Sequence, residues 1–348
     1  MNKILFFAFT ILIFVSCNSD DDNYSVYVPE DYEKGILITN EGPFNNGSGT
    51  ITYISNDFAT VAQNIYRSVN GQDLGNIVQS MGFGDDNAYI VVSNSEKIMI
   101  ANRYNFVASD SITTGLNNPR YFVSGTGNKG YVTNWGDPND NSDDYVAVID
   151  LRTNNIVTTI PVAFGPERMV AHNNKVYVAH QGGYGQNNLI SVVSGTSVEN
   201  TITVGDVPNS MVVSGNNLYV LCGGTPSYAG TETAGSLVKI DLNTGQVSEA
   251  FTFDTTQHPT SLTMDESNLF YSLDGKVYKV NSSAIALPGT DIIDGYFYAL
   301  QAKDGKLYAA DAGDYTSKGS LYIYDLSTNL KIQDFQTGIV PGGIYFNE

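Results

Sequence analysis

Short apolar segments alternate with polar turns along almost the whole chain, and one pattern among them recurs. An apolar or small residue is followed by Tyr or Phe and then by a short β-branched or small run. Six copies occupy residues 88–91, 130–133, 176–179, 218–221, 269–272 and 307–310, and a degenerate first copy occupies residues 35–38. Successive copies are separated by 52, 42, 46, 42, 51 and 38 residues. This period is typical of propeller blades, so the chain is predicted to be an all-β, seven-bladed β-propeller.

The repeats also predict how the ring closes. The first strand of a repeat often follows a proline, since Pro cannot donate to a sheet ladder; examples are Pro119, Pro166, Pro208 and Pro259. The folded part begins at Gly35 with a second-strand pattern, and the chain ends at residues 340–346 with a first-strand pattern. We therefore expect the C-terminal strand to pair with the first blade, which removes the open sheet edge.

The N-terminus carries a targeting signal. Residues 1–16 are predicted to be a lipoprotein signal peptide, because Lys3 precedes an apolar segment that is too short to span a membrane. The following Cys17 completes a sequence that resembles a bacterial lipobox, so Cys17 is the expected lipidation site. An ordinary signal peptide that contains a Cys is the alternative. Residues 17–34 are then the lipidated Cys and an acidic flexible tether, and residues 35–348 are the propeller.

Composition limits the partners. The formal net charge is -19, and the acidic residues are scattered. Such a surface repels nucleic acid and anionic lipid, so we expect no nucleic-acid partner and contact with the membrane only through the lipid anchor. Cys222 is the only other thiol, which excludes an intramolecular disulfide if Cys17 is lipidated. Because Cys222 ends an apolar strand, it is expected to be buried and inert.

The loops between second and third strands are strongly unequal. Five are long, polar and rich in Gly, at residues 40–49, 134–144, 180–188, 222–235 and 311–319, whereas those around Ser93 and Asp274 are short. These loops share one face of a propeller, and long loops on one face of a rigid scaffold are a common form of binding site. Each long loop carries one aromatic residue, which suits a large, uncharged ligand rich in amides or hydroxyls.

Residues at the starts of inner strands are expected near the central channel on the same face. The predicted ligand-binding residues are Phe44, Asn45, Asn46, Gln79, Arg120, Trp135, Arg168, Tyr184, Gln186, Asn209, Tyr228 and Tyr315. For the aromatic residues the alternative is packing within their own loops. For the inner-strand residues it is pairing with acidic neighbours that line the channel.

Signals for catalysis are poor, and no enzyme activity or cofactor is expected. The three histidines, at 172, 180 and 258, have no metal-like spacing, and no nucleophile elbow or phosphate-binding loop occurs. The loop at 137–143 places oxygen-bearing side chains at alternate positions, namely Asp137, Asn139, Asn141 and Asp143. It lacks the Gly and Glu that complete a calcium loop, so a solvated acidic loop is the default interpretation and a structural calcium the alternative.

The chain resembles the YncE-like propeller lipoproteins of Bacteroidetes, and more closely the BtuG group of surface cobalamin-binding proteins. The resemblance rests on residues 35–42, 45–53, 75–81, 88–95, 118–121, 308–315 and 338–342 and covers nearly the whole folded part. The acidic stretch 18–22 is similar to the signal that sends such lipoproteins to the outer face of the cell. The resemblance implies an outer-membrane lipoprotein that captures a corrinoid and passes it to a TonB-dependent transporter.

Two other classes of function stay open. Aromatic side chains with Asn would equally suit a glycan-binding surface lipoprotein of a polysaccharide-uptake system. A propeller lactonase or hydrolase would need a metal or an acid/base cluster at the channel mouth.

Overall fold

The computed structural model describes residues 31–348, apart from Asn45 and Tyr184 and the side chains of Glu249 and Ala250. The predicted signal peptide, Cys17 and tether residues 18–30 lie outside the described residues. In the part that is described, no helix has the length and apolar character needed to cross a membrane.

Residues 31–348 form seven antiparallel, four-stranded sheets arranged in a ring, which confirms the predicted seven-bladed β-propeller. The second and third blades contain β4 (Val78–Gly84), β5 (Asn87–Val92), β6 (Lys97–Asn102), β7 (Ala108–Ile112), β8 (Pro119–Ser124), β9 (Lys129–Asn134), β10 (Tyr145–Asp150) and β11 (Asn155–Pro161). The fourth and fifth contain β12 (Pro166–His172), β13 (Lys175–His180), β14 (Leu189–Ser194), β15 (Ser197–Thr203), β16 (Pro208–Ser214), β17 (Asn217–Cys222), β18 (Ser236–Asp241) and β19 (Gln246–Thr252). The sixth and seventh contain β20 (Thr260–Asp265), β21 (Asn268–Leu273), β22 (Lys276–Asn281), β23 (Asp291–Asp294), β24 (Ala299–Lys303), β25 (Lys306–Asp311), β26 (Lys318–Asp325) and β27 (Leu330–Ile339).

The first blade joins the two ends of the chain. It contains β1 (Gly35–Asn40), β2 (Thr50–Ser55), β3 (Val61–Ala62) and β28 (Pro341–Asn347). Strand β28 is the innermost strand and pairs antiparallel with β1, with Ile36 opposite Phe346 and Ile38 opposite Ile344. It also contacts β4 and β24, the inner strands of the neighbouring blades. The predicted closure by the C-terminal strand is therefore confirmed, and β1 has no open edge.

Short helices complete the fold. Helix α1 (Ile65–Asn70) follows the two-residue strand β3, and one-turn 3₁₀ helices occupy Ser93–Ser95 and Ser227–Ala229. Tyr32, at the predicted end of the tether, packs its ring against Tyr53 and Phe106. Its carbonyl accepts a hydrogen bond of 2.6 Å from Asn347. The described chain therefore contacts the propeller before β1 begins.

The recurrent Tyr pattern forms the second strand of each blade. These strands are buried on both faces, as in Lys175–His180, because each blade lies between two others. Tyr89 of the second blade, for example, stacks on Phe122 of the third, with ring centroids 4.4 Å apart. Cys222 is fully buried in such a strand, as predicted, and burial raises the pKa of its thiol to about 12.

Candidate ligand-binding site

One end of the ring, here called the loop face, collects all five long loops. The loops between second and third strands meet the connections between blades at this end. The amide of Gly223 donates to the carbonyl of Val207 at 2.8 Å, and the amide of Trp135 donates to the carbonyl of Asn118 at 3.2 Å. The opposite face carries the Asp-led turns, such as that in which Asp241 accepts from the amides of Asn243 and Thr244.

A repeated irregularity shapes the centre of the loop face. In five blades the residue just before the inner strand has a positive φ, between 51° and 69°; these residues are Ile77, Asn118, Gly165, Val207 and Val340. The register between inner and second strand then shifts immediately, leaving residues unpaired. Such bulges re-aim side chains. The residues they release at the loop face are Gln79, Arg120, Tyr121, Glu167, Arg168, Asn209 and Gly342.

These bulged residues line a cavity of about 240 Å³ at the end of the central channel, here called the channel mouth. Its remaining lining residues are Glu41, Gln181, Ser210, Thr260, Ser261 and Tyr298. Four residues that were predicted to bind ligand, namely Gln79, Arg120, Arg168 and Asn209, are therefore brought together here. The bulge geometry explains why consecutive blades contribute equivalent positions.

Arg120 is held on two sides. Its Nε and Nη2 donate to the two carboxylate oxygens of Glu167 at 2.9 Å each, which is a bidentate salt bridge between neighbouring blades. The guanidinium carbon also lies 4.0 Å from the ring centroid of Trp135. The Trp135 indole donates in turn to the carbonyl of Pro166 at 3.0 Å. Trp135 thus packs under Arg120 and is hydrogen-bonded to the first residue of β12, so both of these contacts lie outside its own loop.

Arg168 lies beside this pair in a different environment. Its guanidinium carbon is 4.3 Å from the ring centroid of Tyr121, whose hydroxyl accepts a hydrogen bond from Gln79. Among the described residues, no carboxylate forms a salt bridge with Arg168. Asn209 is more committed, because its amide donates to the carbonyl of Pro259 at 2.8 Å.

Glu41 and Tyr298 close another side of the mouth. The hydroxyl of Tyr298 donates to Glu41 Oε1 at 3.0 Å. Burial raises the pKa of Glu41, although the bond from Tyr298 partly opposes this, and burial also raises the pKa of Tyr298. Gly342 makes the arrangement possible, because a Cβ at this position would lie 2.8 Å from Glu41 Oε1 and 3.3 Å from the Tyr298 ring.

A larger cavity of about 710 Å³, here called the tyrosine cavity, opens between the sixth and seventh blades. It exists because the turn between β21 and β22 is short and leaves the space above it open. Tyr296, Tyr298 and Tyr315 line it and are 82%, 41% and 57% exposed. The rings of Tyr298 and Tyr315 meet edge to face, with centroids 5.8 Å apart. The other short loop, at Ser93, borders a smaller polar cavity of about 320 Å³.

The two main cavities adjoin each other. Thr260, Ser261 and Tyr298 line both the tyrosine cavity and the channel mouth. An aromatic pocket therefore lies directly beside a polar one with charged side chains. Small-molecule sites commonly combine a mostly apolar lining with a few polar groups that fix orientation.

The other predicted residues lie farther out. Phe44 and Tyr228 stand at loop tips, 77% and 91% exposed, and neither lines the two cavities. Asn46 and Gln186 are exposed, and among the described residues Tyr315 is the one predicted loop aromatic that lines the tyrosine cavity. Asn45 and Tyr184 lie outside the described residues.

Sequence reasoning missed Tyr296, Tyr298, Glu41 and Gln181. Tyr296 and Tyr298 belong to the connection between the sixth and seventh blades, whereas the prediction rested on the loops between second and third strands. The sequence at 295–298, a glycine and three aromatic residues, is the signal that could have revealed them. Glu41 directly follows β1, where the long first loop begins.

His258 and the acidic loop make hydrogen bonds to their own surroundings. His258 places Nδ1 2.8 Å from the carbonyl of Gly223 and Nε2 3.2 Å from Glu232. Asp143 accepts from the amide of Asp137, and Asp137 accepts from Asn139, so these carboxylates already bind their own loop. The described residues contain no group of three or more His, Cys, Asp or Glu placed to hold a metal ion.

Fold and site together define a seven-bladed β-propeller with a ligand-sized depression on its loop face. Residues 34–337 match the family described as a domain of unknown function (DUF5074). The chain belongs to this family. A comparison with curated proteins gives no match.

Solved propellers resemble the chain in fold alone. BamB from Moraxella catarrhalis is 14% identical, with 92% of each chain covered and a TM-score of 0.53. Apo AztD from Citrobacter koseri is 11% identical, with 89% of this chain and 96% of the other covered and a TM-score of 0.56. The computationally designed protein Ika8 is 12% identical, with coverages of 90% and 91% and a TM-score of 0.56. The narrower resemblance to the BtuG group stays a prediction.

Proposed function

We propose that this protein captures a bulky ligand, a corrinoid such as cobalamin, on its loop face and passes it to a TonB-dependent transporter of the outer membrane. The observation that carries the proposal is the pair of adjoining cavities, the tyrosine cavity and the channel mouth, which share Thr260, Ser261 and Tyr298. A ligand that covers both would bury aromatic contacts and polar contacts at once.

The lining chemistry suits a large ligand rich in amide groups. Tyr296 and Tyr315 offer exposed ring faces, which give large contact areas at low cost in side-chain entropy. Gln79 and Gln181 carry amides at the mouth that can exchange hydrogen bonds with amides of a ligand. The rigid inner strands hold the mouth, so little ordering of the protein should be needed on binding.

The cellular setting is proposed from the sequence. A lipid on Cys17 would anchor the protein, and residues 18–30 would let the propeller stand in water above the membrane, on the extracellular side. In this arrangement the transporter receives the ligand from the loop face. Neither the anchor nor the transporter is needed for the capture step itself.

Titration of residues 24–348, which contain the complete closed propeller, with cyanocobalamin tests the capture step. We expect saturable binding at micromolar concentration or below, followed by calorimetry and by the absorbance of the ligand. Tyr296→Ala and Tyr315→Ala should weaken this binding. Tyr104→Ala, on the opposite face, is the matched control and should leave it unchanged. No heat and no absorbance change with the folded protein would refute cobalamin as the ligand.

A glycan is the second candidate, and one feature of the tyrosine cavity favours it. Exposed Tyr rings lie there beside the carboxylates of Asp274 and Asp311, which can accept hydrogen bonds from sugar hydroxyls. Titration of the same protein with soluble polysaccharides separates the two proposals. Saturable binding of a polysaccharide, with no response to cyanocobalamin, would replace the corrinoid proposal by this one.

A further inference from the structure

The arginines of this chain differ in what they bind. The chain has five, and four have partners: Arg67 with Asp73, Arg152 with Asp150, Arg120 with Glu167, and Arg103 with the side-chain oxygen of Asn347. Arg168 is the exception within residues 31–348 as described, because its guanidinium has neither a hydrogen bond nor a salt bridge there. A guanidinium carries five N–H donors that need acceptors.

The surroundings hold Arg168 in place without satisfying it. Its guanidinium stacks on Tyr121 at 4.3 Å, and it lines the channel mouth. The two nearby carboxylates are committed elsewhere. Glu167 binds Arg120 through both oxygens, and Glu41 accepts from Tyr298. Among the described residues of the mouth, Arg168 is thus the charged side chain that has no hydrogen-bond partner.

The net charge of the protein limits how an anion can bind at the channel mouth. With a formal net charge of -19, the long-range field repels anions. An anion that binds at the mouth must therefore do so through local geometry. A planar guanidinium that is fixed by stacking is the group best suited to bind a carboxylate or a phosphate through two parallel hydrogen bonds.

We infer that the channel mouth is an anion subsite, in which Arg168 binds a carboxylate or phosphate group of the captured ligand while the ring portion of that ligand lies in the tyrosine cavity. This inference rests on the proposed capture function and narrows its ligand class. Gln79 and Gln181, which also line the mouth, are placed to donate to the same group.

Trp135 supplies a built-in reporter. It is the single tryptophan of the chain, and its ring lies 4.0 Å from the guanidinium of Arg120, which lines the same mouth as Arg168. Titration of residues 24–348 with sodium phosphate, and separately with sodium acetate, at constant ionic strength and neutral pH should change its fluorescence in a saturable way. The anion that gives the lower apparent Kd shows whether the subsite prefers tetrahedral or planar anions.

Arg168→Gln should weaken the apparent affinity for the better anion about tenfold or more, since it removes a charge-assisted hydrogen bond. Arg168→Lys keeps the charge but lacks the planar fork of donors. Its apparent affinity for the anion should therefore lie between those of the wild type and Arg168→Gln. Arg152→Gln, which removes the same charge from the opposite face, is the control and should behave as wild type. Circular dichroism confirms that each variant is folded.

The outcomes separate this inference from the proposed function. If the wild-type protein gives no saturable response to either anion, or if Arg168→Gln responds as wild type does, the anion subsite is refuted whatever cyanocobalamin does. If the response depends on Arg168 but cyanocobalamin does not bind, the subsite stands and the corrinoid proposal falls. The wild-type titration decides the matter even if Arg168→Gln does not fold.

Discussion

Replacement of Glu167 by Gln would leave the guanidinium of Arg120 without its carboxylate inside the channel mouth. The two side chains are 16% and 6% exposed, and both hydrogen bonds between them are 2.9 Å long. The pair joins the third blade to the fourth. Its loss should therefore lower the stability of the whole ring as well as change the mouth.

The expected size of the effect follows from burial. Removing one partner of a buried ion pair costs about 3–5 kcal/mol, because the remaining charge stays desolvated. Three features reduce this figure here. Arg120 keeps its stacking on Trp135, the cavity gives water access to the guanidinium, and a Gln side-chain oxygen still accepts one hydrogen bond. We therefore expect Glu167→Gln to lower the free energy of unfolding by about 2–3 kcal/mol.

A double-mutant cycle of Glu167→Gln and Arg120→Gln measures the interaction itself. Equilibrium denaturation, followed by Trp135 fluorescence and by circular dichroism, should give a coupling energy of about 2 kcal/mol. The exposed pair Arg152–Asp150 is the control, and its coupling should be indistinguishable from zero. A coupling below about 0.5 kcal/mol for the Arg120–Glu167 pair would refute the account of the mouth as a structure held by this salt bridge.

Three further changes test the fold. Deleting residues 338–348 removes the strand that closes the ring and should unfold or aggregate the protein, and an unchanged melting temperature would contradict the closure. Burial lowers the pKa of His180 to about 4, so the stability that its neutral ring provides should be present above about pH 6.5 and be lost as the pH falls to about 4. This loss, about 3 kcal/mol, should be absent in His180→Asn when denaturation is compared across that range. Gly165→Ala should destabilise far more than Gly195→Ala in thermal melts, because both have positive φ but only a Cβ at 165 would collide with the backbone of Gly182. Equal losses of thermal stability in the two variants would mean that the positive φ alone causes the destabilisation.

The fold was predictable because its signals are local and repeated. Each second strand lies between two other blades, so both of its faces are apolar and the Tyr pattern stands out at every repeat. The closure was predictable for a related reason. The propeller begins with a second strand at Gly35 and ends with a first strand at Pro341. Each of these strands lacks a neighbour in its blade, and the other strand supplies it.

The site was predictable only where strand position fixes direction. Arg120, Arg168 and Asn209 start inner strands, so the topology alone sends them to the mouth. The partners of these residues come from other blades, as Glu167 does for Arg120, and no local pattern reports such a pair. The tyrosine cavity is the space above the short turn between β21 and β22. Its main aromatic residues lie on a connection between blades, where the repeat pattern does not predict which way a side chain points.

The bulges link the scaffold to the site through backbone strain. Ile77, Val207 and Val340 are β-branched residues with positive φ, a conformation that costs of the order of 1–3 kcal/mol each and persists only where the surroundings enforce it. The ring supplies that enforcement, because each inner strand is held by its own blade and by both neighbours. The residues released by the bulges are then fixed before any ligand arrives. The mouth should accordingly bind without rearranging, whereas the open tyrosine cavity beside it leaves room for ligands of different size.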